Sequence, residues 1–65
     1  MEKVKVSILG EIENDEKLYS VAIFPVGTEI ASYTEFGFPS REDAEFHVSE
    51  MMDIEIIETE ITEEF

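Results

Sequence analysis

Cysteine and tryptophan are absent from this 65-residue chain, and no lysine or arginine follows Arg41. Without cysteine there is no disulfide and no thiolate metal site to staple a small fold. Glycine (3) and proline (2) are scarce, which argues against a flexible linker or a low-complexity segment. The longest clean apolar run, Val21-Ala22-Ile23-Phe24, falls far below the ~20 residues of a membrane helix. Nothing at the start resembles a signal segment. The expectation is a soluble, cytoplasmic single domain over residues 1–65, in the host-cell cytoplasm if the source is viral.

Four bases stand against 17 acids, a formal net charge of −13. That balance argues against direct binding to nucleic acid or to an anionic membrane, and favours a basic protein as partner. The charge is uneven. Residues 1–41 carry 7 acids and 4 bases, whereas residues 42–65 carry 10 acids and no base. Val48, Met51, Met52, Ile54, Ile56, Ile57 and Ile61 run through the acidic stretch at structural spacings, so it is not a disordered tail. Hydrophobic residues make up 43% of the chain, enough to fold. A chain of this length buries only about 60% of its unfolded surface, so a homodimer or a bound partner would be a useful supplement.

Residues 3–12 alternate, with Val4, Val6, Ile8 and Ile12 on one face and Lys3, Lys5, Ser7 and Glu11 on the other, as in a half-buried strand. Glu13-Asn14-Asp15-Glu16-Lys17 is a polar turn. Leu18 to Val26 predicts a second strand that is apolar on both faces, hence central or covered by a partner. Thr28 to Phe38 predicts a third, with Ile30 and Phe36 on one face and Ala31 and Tyr33 on the other.

Ser40 is a good helix N-cap, and Glu42, Asp43 and Glu45 suit the positive end of the helix dipole. Ala44, Val48, Met51 and Met52 form one helical stripe with His47 at its edge. Phe46, about 200° around the axis from Ala44, falls on the opposite face. Asp53 to Ile61 predicts a last strand with a break of phase, which a bulge near Ile56-Ile57 would absorb while keeping both sets of isoleucines inward. The expected class is α+β: strand, strand, strand, helix, strand, forming an antiparallel sheet with one helix packed on a face.

Little here points to catalysis or to a cofactor. His47 has no second histidine or cysteine for company, the acid-rich turn lacks calcium-loop spacing, and the three glycines form no phosphate loop. The expectation is a non-enzyme without cofactor or metal. The acidic run instead predicts a charge-driven partner-binding surface made of Glu42, Asp43, Phe46, Glu50, Asp53, Glu55, Glu58 and Glu60, with Phe46 as an apolar anchor among carboxylates. Helix and strand carboxylates together would build its field.

Met1-Glu2-Lys3-Val4-Lys5-Val6, followed by Gly10 and Asn14, resembles the opening of the Dmd antitoxins of T4-type phages, which silence a host messenger-RNA endoribonuclease. The likeness covers about the first fifteen residues. The layout is also similar to that of HicB-type antitoxins, with Phe24-Pro25 in the second strand, although Val26-Gly27-Thr28 replaces the Asp-Leu-Pro-Gly of that family. Both resemblances imply a small protein that neutralises an RNA- or DNA-handling enzyme by binding it. With the acidic charge, the expectation is a phage-encoded inhibitor or antitoxin that covers the basic nucleic-acid-binding surface of a host nuclease, toxin or defence protein. The alternatives are a DNA mimic acting on a repair or restriction enzyme, and a non-inhibitory homodimeric adaptor whose acids serve only solubility.

Overall fold

The computed structural model describes all residues, 1–65. Five elements follow in order: β1 (Glu2–Glu13), β2 (Glu16–Pro25), β3 (Tyr33–Phe38), α1 (Arg41–Ser49) and β4 (Ile54–Glu63). They form one four-stranded sheet in the order β3-β2-β1-β4, with α1 on one face. The α+β class therefore stands.

The first hairpin is set by two residues. Asn14 (φ 51°) and Asp15 (φ 65°) both take left-handed backbone, as in the type I′ turns whose twist matches that of paired strands. They close β1 onto β2 in antiparallel register from Glu13↔Glu16 to Val4↔Pro25. That register puts Val4, Val6 and Ile8 on the same face as Tyr19, Val21 and Ile23, and α1 lays Ala44 and Val48 onto them. These eight side chains are the core, with Tyr33, Phe38, Met51, Ile54 and Ile61 packed at its margin.

The antiparallel expectation holds for β1–β2 and β2–β3 but fails for β4, which runs parallel to β1. β3 also runs parallel to β1, so β3-α1-β4 is a crossover that carries the chain over two strands, and the helix is its bridge. A bulge does absorb the phase break: Val4 pairs with Ile56 and Lys5 with Glu58, leaving Ile57 as the extra residue. The isoleucines are not all drawn inward, however. Ile54 and Ile61 are half-buried, while Ile56 (41%) and Ile57 (48%) stay exposed because α1 lies over β1, β2 and β3 and stops short of β4.

Three further expectations need correction. The third strand starts at Tyr33 rather than Thr28; the residues before it form a loop, and Ile30 is 79% exposed. β3 carries one residue more than β2 across Tyr19↔Phe38 and Val21↔Glu35, and Gly37 (φ 87°) supplies the backbone conformation such a bulge favours. Ile12 is exposed because β1 outruns the helix above it. Met52 leaves the helical stripe: α1 ends at Ser49 with Glu50 as C-cap, and Met52 is 84% exposed.

Ser40 caps α1 as expected, its Oγ accepting from the Asp43 backbone N–H at 3.1 Å. His47 fills a structural role. Its Nε2 lies 2.7 Å from the Tyr33 hydroxyl, and its ring stacks on Tyr33 and tilts against Phe38, fixing α1 to β3.

Candidate interaction surface

Helical geometry decides where the helix acids point. Since Ala44 and Val48 face the sheet, Glu42, Asp43, Phe46 and Glu50 lie on the far side of α1, all exposed. Phe46 is 63% exposed, and Phe65 does not cover it. Phe65 packs instead against the edge of the Tyr19 ring, at 6.2 Å between centroids, with the Lys17 ammonium 4.7 Å above it. The expected carboxylate-ringed aromatic is therefore present on this face. Arg41, the one nearby cation, is engaged with Glu45 at 2.8 Å, the single ion pair of the protein, and that bond holds the guanidinium pKa above its ordinary value.

Strand register decides the rest. Lys3↔Glu55, Lys5↔Glu58 and Ser7↔Glu60 are pairs on the face opposite to Val4, Val6 and Ile8. Glu55, Glu58 and Glu60 consequently occupy the sheet face that α1 leaves open, while the helix acids point the other way. The expectation that helix and strand carboxylates pool into one field is overturned: the sheet lies between them. The strand acids also have cations in adjacent register, Lys3 and Lys5, although no ion pair closes there. Asp53 sits in the link between α1 and β4, exposed, its carbonyl accepting from the Glu2 N–H at 3.3 Å.

The open face is divided. On the β2–β3 side it carries Leu18, Ala22, Phe24 and the exposed Phe36. On the β1–β4 side it is charged, and an open depression of about 270 Å³ lies there, lined by Lys5, Val6, Ser7, Phe24, Glu58 and Glu60. A smaller gap of about 130 Å³ opens on the helix face, where α1 stops short of β4, between Glu45, Val48 and Ser49 on one side and Ile56 and Thr59 on the other, with Ile8 as floor. No group of three histidine or acidic side chains converges to hold a metal ion. No helix is long and apolar enough to cross a membrane.

One arrangement has no counterpart in the sequence reading. The Tyr19 ring crosses from β2 over Gly10 of β1 and donates its hydroxyl to Glu63 Oε2 of β4 at 2.5 Å. That bond, then burial and the nearby Glu63 and Glu42 charges, raises the phenol pKa above 10.0. Gly10 between alternating apolar residues was the available signal, since glycine inside a strand marks a close approach.

No family model matches the chain, and neither does any curated protein or solved structure.

Proposed function

We propose that the protein is a small, stoichiometric inhibitor, antitoxin-like and phage-encoded, that binds and blocks the basic nucleic-acid-binding surface of a host nuclease or defence protein. The observation that carries this reading is the outer face of α1. There an exposed Phe46 stands among Glu42, Asp43 and Glu50 on a capped helix, with its one neighbouring cation occupied elsewhere. An aromatic anchor ringed by charge of one sign suits a partner whose surface is basic with apolar gaps. The net charge of −13 adds long-range steering, and the open-face acids Glu55, Glu58 and Glu60 offer a second contact. With principal extents of 38 × 23 × 15 Å, the slab is thin and acidic on both sides, which suits a cleft with basic walls. The resemblance to antitoxins points the same way.

The test is capture from host lysate at low salt, followed by kinetics with the captured protein. Association should slow steeply between about 50 and 300 mM salt, and the complex should no longer engage nucleic acid. A flat salt profile, or a captured protein that still binds nucleic acid normally, would refute the proposal.

A second reading, the homodimeric adaptor, draws on the apolar half of the open face, where Phe36 is exposed beside the half-buried Leu18 and Phe24. Sedimentation separates the two: an adaptor is a dimer at micromolar concentration, and reversing Glu58 and Glu60 to lysine leaves its binding intact.

A further inference from the structure

We propose that the outer edge of β4 takes up an extended basic segment of the partner as a fifth strand. This rests on reading the chain as a binder of basic proteins, and specifies how contact is made. β4 is ten residues long and pairs only with β1. On its far side, every second N–H and C=O therefore faces solvent, a template for another strand. α1 does not reach over it, and past the bulge at Ile57 the stretch Glu58–Glu63 is a regular ladder segment without proline or glycine. β3, the other edge, is shorter, with six residues and a bulge beside Gly37.

The occupant follows from charge and from the chain itself. A second copy pairing β4 against β4 would set glutamates beside glutamates, which is destabilising at cross-strand distance. A basic strand faces no such barrier. The inner side of β4 already shows what fits: Lys3-Val4-Lys5-Val6 lies along it, with Lys3 opposite Glu55, Val4 opposite Ile56 and Lys5 opposite Glu58. An outer segment of the same alternation would place its cations beside Glu58 and Glu60 on the open face. Its β-branched residues would lie beside Thr59 and Ile61 on the helix face, where α1 leaves the 130 Å³ gap next to the exposed Ile56. The partner segment is thus lysine or arginine alternating with valine, isoleucine or threonine.

The probe is the capped hexapeptide Ac-Lys-Val-Lys-Val-Lys-Val-NH2, added to isotope-labelled protein at low salt and followed by amide shifts and hydrogen exchange. Two isomers, N-methylated on all lysines or on all valines, keep its charge but each blocks one hydrogen-bonding edge. Strand addition slows exchange at alternate amides within Glu58–Glu63, and one isomer loses affinity by about tenfold or more, as expected for two or three backbone bonds removed, while the other binds. If all three peptides bind alike, or the shifts gather around Phe46, the edge proposal is overturned and the charge-driven reading survives. If none binds at low salt, both fail.

Discussion

Replacing Gly10 with alanine tests the packing that closes this sheet. Gly10 lies in β1 between Tyr19 of β2 and Glu63 of β4, on the face that α1 covers. A Cβ there would meet Tyr19 Cε2 at 2.6 Å, Phe65 Cε2 at 3.0 Å and Tyr19 Cδ2 at 3.1 Å. Ordinary carbon contacts begin near ~3.5 Å, so the ring must retreat by about 1 Å. The retreat draws the hydroxyl away from Glu63 and disturbs the edge-to-face contact with Phe65. Overpacking of this kind costs about 1–3 kcal/mol. For a domain of this size, each kcal/mol shifts Tm by roughly 4–8 °C, so Gly10→Ala should melt roughly 5–20 °C lower by circular dichroism. The same substitution in a Tyr19→Val background removes the 2.6 Å clash and leaves only Phe65 Cε2 at 3.0 Å, a C-terminal ring that need give way by only a few tenths of an ångström. There Gly10→Ala should be neutral or stabilising by about 0.4–1 kcal/mol, through a stiffer unfolded chain. An unchanged or raised Tm for Gly10→Ala in the otherwise native protein would show that the Tyr19 ring does not lie over the glycine.

Ser40→Ala removes the acceptor for the Asp43 N–H and should cost about 1 kcal/mol in thermal denaturation, with Ser40→Asp restoring most of it. The Tyr19 phenol, its pKa raised first by the bond to Glu63, contributes stability that is fully present below pH 10 and lost as pH rises through the folded-state value. Alkaline titration should therefore destabilise the native protein more steeply than Tyr19→Phe. A residual slope should remain from Tyr33, raised mainly by burial and then by Glu35. Phe46→Ala should leave stability within about 0.5 kcal/mol, since the side chain is largely exposed, yet weaken partner binding by about 2 kcal/mol. A large fall in Tm would move Phe46 into the core.

What the chain discloses in its sequence is what nearest neighbours decide. Asn14-Asp15 specifies a hairpin because both tolerate left-handed backbone, and they adopt it. Ser40 marks the helix start through a bond three residues long, and the broken alternation at Ile56-Ile57 is the bulge itself. Phe46 could be placed on the outer face because helical rotation is local. Strand direction is another matter. A helix between two strands returns the chain either way, and only the docking of α1 over β1–β3 makes β4 parallel to β1. That non-local choice also decides which acids share a face, so the exposure of the eight candidate residues was legible one by one but their grouping was not. The same limit explains Met52: helical spacing continues past Ser49 in the sequence, whereas the backbone stops at Glu50.

The acids are better understood by where repulsion is tolerated than by their number. Lys3 and Lys5 are carried to register positions beside Glu55 and Glu58, so the fold spends two of its four bases against the strand that most needs them. Glu42 and Asp43 have only the helix N-terminus and the nearby Arg41 charge to relieve them, and Glu50, at the other end of α1, has neither. A charge of one sign left uncompensated on a small domain lowers its stability. Solubility alone does not require a phenylalanine in its midst, nor does it require acids along an exposed ten-residue edge where lysine would protect equally well. Negative charge at that edge has a property that positive charge would lack: it turns away another copy of this chain and nucleic acid, yet admits a basic strand. On the proposed strand addition, selectivity would lie in the sign.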